Sequence, residues 1–384
     1  MKKICVITGS RADYGITKIL LKKIQENAKL DLSIIATGMH LDPAYGYTVN
    51  DIKNDGFTID YEVDMLFGDR TRASLAKSLG TGIIGITQSL EKLEPDLVIL
   101  FGDRPEMLSA AIASVYLQIL TAHIQGGDHA AGYHIDDSNR LAISKLAHIH
   151  FPAIEEHKKY LLQIGEAPSR IHVVGSLGLD EIIQLQSTLT ENEEREIAKK
   201  YEINFDKPFI IVINHPVYTE MEKARSQMST ILRALEDLKI DSIVIYPSGD
   251  PGSEDIISVL SDYENRISWI HSYKSIPRRD FLILMHLASV MVGNSSAGVI
   301  ETASAGLPSV NIGHRQEGRI TPLNVINVEY DVESIKSAIK RALDEDFKEQ
   351  SKKTVNPYGD GKASDRIIKI LQNLKDAQQY LIKY

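Results

Sequence analysis

Four aspartates, Asp103, Asp128, Asp136 and Asp137, crowd one stretch of this chain, which reads LFGDRPEM, then an apolar helix-like run, then HIQGGDHAAGYHIDDSNR up to Arg140. They stand where strands should end and loops or helices begin. In an open parallel sheet, ligands bind outside the carboxyl ends of the strands. Carboxylates placed there move protons at a substrate carbon. Asp103 follows an almost wholly apolar strand and reads either as a site residue or as a helix N-cap holding the N–H groups near Glu106. Arg104 beside it suits a phosphate or an aspartate. Gly126 and Gly127, just before Asp128, allow close backbone approach to a ligand. One of Asp136 and Asp137 reads as the cap of a helix starting near Ser138.

Further loops have the chemistry of anion binding. Gly9-Ser10-Arg11-Ala12-Asp13-Tyr14-Gly15 joins a first strand to a first helix, offering backbone N–H groups, a helix N-terminus and the fork of Arg11. It also reads as a tight strand–helix turn with a surface arginine. It is not G-x-G-x-x-G, so no dinucleotide cofactor is expected. Asn214-His215-Pro216 ends a later strand, and its histidine suits proton transfer or phosphate contact. Gly293-Asn294-Ser295-Ser296-Ala297-Gly298 turns into a helix carrying Glu301. Two hydroxyls, two glycines and a carboxylate occur together there, beside a simple N-capping alternative for the serines. Glu301 is placed for ribose hydroxyls, and Arg315, after the next strand, for the same site. No HExxH and no Cys/His cluster is present, so no metal site is expected.

The elements that must position these residues alternate. Short β-branched runs at 3–8, 32–37, 96–102, 120–125, 148–153 and 170–175 read as strands. Helical segments at 15–27, 107–117 and 141–148 lie between some of them, and Glu94–Pro95 closes a further helix ahead of the run at 96–102. Such a rhythm indicates βαβ units around a parallel sheet. Residues 180–207 are helical and highly charged. A second series follows, with strands at 209–215, 241–247, 267–272, 289–296 and 307–313 and helices near 221–238, 255–263, 280–287 and 299–304. The tail carries two turn signals and then an amphipathic helix. The expected class is therefore α/β, with two Rossmann-like domains: residues 1–182, a helical linker 183–206, residues 207–360, and a C-terminal helix 361–384. A site in the cleft between the lobes is expected.

Composition narrows the function. The 384 residues, 43% hydrophobic and 25% charged, suit a globular protein with sizeable cores. A net charge of −9 argues against nucleic-acid binding through a basic surface. Local arginines and helix N-termini still allow an anionic substrate. The single cysteine, Cys5, forms no intramolecular disulfide and points to a reducing, cytoplasmic compartment. The N-terminal apolar run is too short for a signal peptide, and no 18-residue apolar run suggests a membrane span.

Ten motifs in order carry a resemblance that runs nearly end to end: GSRADYG (9–15), GDRPEM (102–107), HIQGGD (123–128), IDDSNR (135–140), KLAHIHF (145–151), VGSLGLD (174–180), NHPV (214–217), GNSSAGVIE (293–301), NIGHRQEGR (311–319) and NPYGDGKASDRI (356–367). The chain resembles the hydrolysing UDP-N-acetylglucosamine 2-epimerases of sialic and legionaminic acid biosynthesis. The resemblance implies a GT-B arrangement with the C-terminal helix crossing back to the N-terminal domain, the sugar and acid/base side on residues 1–182 and the nucleotide diphosphate side on 207–360, a UDP-sugar substrate, a homodimer and no cofactor. It implies loss of the proton at C2 and of the nucleoside diphosphate from C1. A 2-acetamidoglucal results, to which water adds. By motif, Asp103 and Asp136 match acidic catalytic positions and His215 matches the family's NHP/QHP histidine. Arg11, Arg104, Ser295, Ser296, Glu301 and Arg315 match nucleotide-binding positions.

Three departures stand out. Relatives carry Glu where this chain has Gln125, here carried as a substrate-binding position. Either Asp128 takes the missing role, or Asp103 and Asp136 suffice. Gly15 replaces a frequent Ser. The loop Ala130–His134 is unusual and suits a different sugar, which leaves a 2,4-diacetamido-trideoxyhexose on UDP or GDP as an alternative. A GT-B glycosyltransferase and a non-catalytic nucleotide-sugar sensor are the remaining rivals.

Overall fold

The computed structural model describes residues 1–68, 71–129, 135–204, 207–247, 252–374 and 377–382. The chain forms two units. One comprises Met1–Asp128, Ile135–Glu181 and Gly361–Tyr384, and the other is built on Ile182–Asp360. The loop Ala130–His134 lies outside the described residues.

In the first unit β1 (Lys2–Thr8), β2 (Leu30–Thr37), β3 (Tyr61–Val63), β4 (Leu97–Phe101), β5 (Leu120–Ile124) and β6 (Ile149–Phe151) form one parallel sheet in the order β3-β2-β1-β4-β5-β6. Successive side chains of β1 go to opposite faces. Ile4 and Val6 join a core with helices Arg11–Gln25 and Ala363–Asn373, while Cys5 and Ile7 join another with helices Arg72–Leu93 and Pro105–Tyr116. A sheet buried on both faces needs near-continuous apolar strands, as KICVIT and LVILF are. The C-terminal helix is anchored in this unit. Asp180 accepts from Ala363 N and Ser364 N at 2.9 and 2.7 Å, and Lys2 Nζ donates to the Leu371 and Leu374 carbonyls.

The second unit repeats the plan with β7 (Phe209–Ile213), β8 (Asp241–Ile245), β9 (Ile270–Tyr273), β10 (Val290–Gly293), β11 (Ser309–Ile312) and β12 (Val325–Val328), in the order β12-β11-β10-β7-β8-β9, again all parallel. Read from β9, this is the same winding as the first sheet. The α/β class with two Rossmann-like domains is thus as the sequence indicates. Charged helix Glu191–Lys200 belongs to this unit: Lys200 and Tyr201 reach Asp280 at 2.6 and 2.8 Å, on helix Arg278–Leu287.

Several elements differ from expectation. RIHVVG (170–175) is not a ladder strand. It makes one bridge, His150 to Ile171, with His172 N donating to the His150 carbonyl and Val174 N to the Pro152 carbonyl just past β6. The helix expected to close at Glu94–Pro95 is the 22-residue Arg72–Leu93 with Glu94 as its C-cap, and its full extent escapes a local reading because Gly80, Gly82 and Gly85 weaken the helical signal at about 1 kcal/mol each relative to Ala. The tertiary fold uses two of them: a methyl group at Gly82 would stand 2.8 Å from Met65 and at Gly85 2.5 Å from Val63. Strands β3 and β12 have three and four residues, too few for a period-two pattern to register.

Candidate active site

In each sheet the winding reverses between two central strands, β1 and β4 in the first and β7 and β10 in the second. The loops leaving these strands are GSR, GDR, NH and NSS. Polar candidates thus cluster where an open parallel sheet offers its ligand crevice.

In the first unit Arg140 organises the aspartates. It lies on helix Ile135–Leu146, is almost fully buried, and bonds three ways: Nη2 to the Asp103 carboxylate, Nη1 to Asp137 Oδ1 at 2.7 Å and Nη1 to the Asp128 carbonyl at 2.6 Å. Burial opposes its charge, but Asp103, Asp128, Asp137 and Asp136 around it outweigh burial and raise its pKa. Asp128 is itself buried, with Oδ1 3.5 Å from His157 Nε2 and Oδ2 3.4 Å from Gln125 Nε2. Gln125 has φ +69, and Gly127 has φ +79 with its α-carbon against the His157 carbonyl, which a Cβ would overlap. Such left-handed geometry favours glycine. Buried His123 ties Gly102 down, its Nε2 2.8 Å from the Gly102 carbonyl and its Nδ1 3.0 Å from Ser144 Oγ. The Gly102-Asp103 turn is therefore held from below.

Both capping alternatives fall. Helix Pro105–Tyr116 starts with Pro at its first position and Arg104 as N-cap, without a side-chain cap, so Asp103 is free of that duty. The helix expected near Ser138 begins at Ile135. Asp136 and Asp137 are inside its first turn, and Asp137 pairs with Arg140 rather than capping.

Beside this cluster, the GSRADYG loop is a capping box. Ser10 accepts from Asp13 N, and the Asp13 carboxylate accepts from Gly9 N, Ser10 N and Thr8 Oγ1. Burial raises the pKa of Asp13. His40, wedged between Thr8 Oγ1 and Thr48 Oγ1 at 3.0 and 2.7 Å, is pushed down to about 4 by burial. The first helix starts at Arg11, four residues earlier than expected, and Gly15 is buried within it. Arg11 pairs with Asp51 at 2.7 Å, and Arg104 with buried Glu106 at 3.2 Å.

In the second unit His215, Ser295, Ser296 and Arg315 come together around buried Asn294. His215 N donates to Asn294 Oδ1 at 2.7 Å, and Arg315 Nη1 donates to the Asn294 carbonyl at 3.0 Å. Gly293 has φ +127, and a Cβ there would overlap the Ile213 carbonyl. Ser295 Oγ accepts only a long bond, 3.4 Å from Ala297 N, and Ser296 makes no side-chain cap. Glu301 sits between two four-residue helices and is paired with Arg278 at 2.8 Å. Tyr330 OH lies 3.0 Å from Asn214 Oδ1, its pKa pushed up to about 12 by burial.

Sequence reasoning did not single out Arg140, His157, Glu106, Asn294, Arg278 or Tyr330. Arg140 had a signal in its i+3 and i+4 spacing from Asp137 and Asp136. Tyr330 follows an unexpected strand, and His157 reaches Asp128 only through the fold. Among the described residues, no group of three or more His, Cys, Asp or Glu has the arrangement of a metal site, and no helix is long and apolar enough to cross a membrane.

Comparison with known proteins adds the following. The model of a family described as UDP-N-acetylglucosamine 2-epimerase matches residues 22–372. The chain is 37% identical over 383 residues to the UDP-N,N'-diacetylbacillosamine 2-epimerase (hydrolyzing) of Legionella pneumophila, covering 100% of this chain and 99% of that one. It is 36% identical over 343 residues to the UDP-N-acetylglucosamine 2-epimerase of Neisseria meningitidis, covering 89% and 88%. The crystal structure of a UDP-GlcNAc 2-epimerase from Neisseria meningitidis bound to UDP-GlcNAc superposes with a TM-score of 0.82 at 19% identity, over 97% of this chain and 100% of that one. At that identity the likeness speaks for the fold.

Proposed function

The chain belongs to the UDP-N-acetylglucosamine 2-epimerase family and is a hydrolysing nucleotide-sugar 2-epimerase, and from that premise we propose that it converts UDP-N-acetylglucosamine to UDP and free N-acetylmannosamine. The observation that carries this reading is the cluster of Asp103, Asp128, Asp136 and Asp137 around buried Arg140. Epimerisation by elimination and hydration needs acid/base groups for both faces of C2. A carboxylate takes the C2 proton while the C1–O bond breaks and UDP departs. Water then adds its oxygen to C1 of the glucal, and a second acid returns a proton to C2 from the opposite face. We assign these proton transfers to Asp103 and Asp136, with Asp128 in place of the glutamate that Gln125 replaces. Arg140 offsets the mutual repulsion of the carboxylates. In the second unit His215, Ser295, Ser296 and Arg315 receive the diphosphate and Glu301 the ribose, with His215 also able to pass a proton to the leaving group. Arg11 and Arg104 are assigned to the nucleotide as further cations. Departing diphosphate needs donors aimed at its developing charge.

Under the same reading the chain works as a cytoplasmic homodimer, and its free sugar supplies sialic or legionaminic acid synthesis. Buried Cys5 fits that compartment.

The test is incubation with UDP-N-acetylglucosamine in D2O, followed by NMR. Release of UDP with deuterium at C2 of the free sugar is expected. Transfer of sugar to an acceptor with C2 protium retained, or binding without turnover, overturns the reading. Asp103→Asn and Asp128→Asn then separate the roles: a near-normal rate in Asp128→Asn removes it as the stand-in for glutamate.

A second reading, a UDP-2,4-diacetamido-2,4,6-trideoxy sugar as substrate, is favoured by the full-length likeness to the Legionella pneumophila enzyme. Side-by-side kcat/KM for the two UDP-sugars decides between them.

A further inference from the structure

We propose that Asn294 is the positioning residue that fixes the diphosphate-binding loops of the second unit as one body. It rests on the reading of those loops as nucleotide-binding. Asn294 follows β10 and is fully buried. Its side-chain amide grips a single residue of the neighbouring loop from both sides. Oδ1 accepts from His215 N at 2.7 Å, and Nδ2 donates to the His215 carbonyl at 2.8 Å. Strands β7 and β10 pair up to Ile213 and Gly293. The Asn294 side chain thus supplies a further rung where the ladder has ended, and it holds the backbone from which His215 projects.

Three more connections leave the same residue. Nδ2 also donates to Tyr330 OH at 3.2 Å, and Tyr330 OH bonds Asn214 Oδ1 at 3.0 Å, bringing in the loop after β12. The Asn294 carbonyl accepts from Arg315 Nη1 at 3.0 Å and from Gln316 Nε2 at 2.8 Å, bringing in the loop after β11. Ser295 and Ser296 are its chain neighbours. Loops from four strands therefore meet at one side chain and its own carbonyl. The residue type is constrained. Aspartate keeps the acceptor for His215 N but sets an oxygen against the His215 carbonyl. Alanine loses both bonds and takes their partner from the N–H and C=O of His215, which is costly. The apolar core of this unit is built from other residues, on the strands and the helices against them. The consequence falls on the geometry of the loops, where His215 and Arg315 must share one ligand.

The test measures UDP binding to the full chain by calorimetry, with kcat and KM for UDP-N-acetylglucosamine. Asn294→Asp, still melting cooperatively, is expected to bind UDP about ten- to hundredfold more weakly, the loss set by one or two buried hydrogen bonds, and to lose kcat as well. Ser295→Ala, which removes one hydroxyl and leaves the Asn294 bonds in place, is expected to weaken UDP binding by a smaller factor than Asn294→Asp. Tyr330→Phe removes only the outer hydroxyl, and at least a threefold loss of UDP affinity is expected; it decides the matter if Asn294→Asp does not fold. Wild-type affinity in folded Asn294→Asp, or in Tyr330→Phe, overturns the inference, as does a fall in melting temperature with affinity unchanged. Failure of the wild-type chain to bind UDP overturns instead the nucleotide reading on which it rests.

Discussion

Replacing Arg140 by Met tests whether the aspartate cluster depends on one buried cation. Methionine fills much of the same volume without charge. The substitution removes the cation that the charges of Asp103, Asp128, Asp137 and Asp136 all act on. Removing one partner of a buried ion pair costs about 3–5 kcal/mol. Asp103 and Asp137 keep 20% and 18% of their side chains accessible, which screens those pairs and favours the lower half of that range. For a unit of roughly 200 residues, about 3–4 kcal/mol lowers the melting temperature by about 6–16 °C. Arg140→Lys keeps the charge but a single nitrogen cannot satisfy Asp103, Asp137 and the Asp128 carbonyl together. It is expected to lose about 1–2 kcal/mol of stability, with turnover reduced as Asp103 shifts. The assay is calorimetric or dichroic melting of the three proteins at pH 7, paired with the C2 exchange rate. An Arg140→Met protein that melts with the wild type refutes the reasoning.

Three other outcomes are expected. His40 titrates at about 4 in the fold, against about 6.5 when exposed, so the unfolded chain takes up its proton first as pH falls; stability drops between those values by up to about 3 kcal/mol, and His40→Gln flattens that part of a urea-unfolding series against pH. Gly293→Ala forces a side chain into φ +127 and against the Ile213 carbonyl; a loss of at least about 2 kcal/mol is expected, with weaker UDP binding in whatever remains folded, and wild-type stability by denaturant titration contradicts the geometry. Glu106→Gln removes the charge that holds Arg104 while keeping its shape; KM for the UDP-sugar is expected to rise about five- to tenfold, about 1–1.4 kcal/mol, with little change in melting temperature, and an unchanged KM removes Arg104 from the binding role.

The legibility of this chain divides by distance along it. Apolar runs bounded by Gly or Pro marked most of the strands, since a sheet covered on both faces demands them. The turn residues at their ends marked the loops, which is why Asp103, His215 and Ser295 were visible as candidates. Local rules found the end of a helix but not its extent where tertiary contacts reward an unfavourable residue. Helix Arg72–Leu93 tolerates Gly82 and Gly85 because Met65 and Val63 come up against them. The capping roles considered for Asp103 and Asp137 had only local chain in view, whereas Arg140 claims Asp103 from another element and Asp137 from one turn along its own helix.

The sequence by itself determined the α/β class, the two successive αβ series and the types of side chain at the strand ends, because these follow from periodicity and turn chemistry within a dozen residues. Only the tertiary structure decided which of those side chains meet. Arg140 binds Asp103 across 37 positions, and Asn294 binds His215 across 79. Such partners are neighbours through parallel crossover connections. A crossover places the ends of distant strands side by side, with no trace in the spacing of the residues it joins.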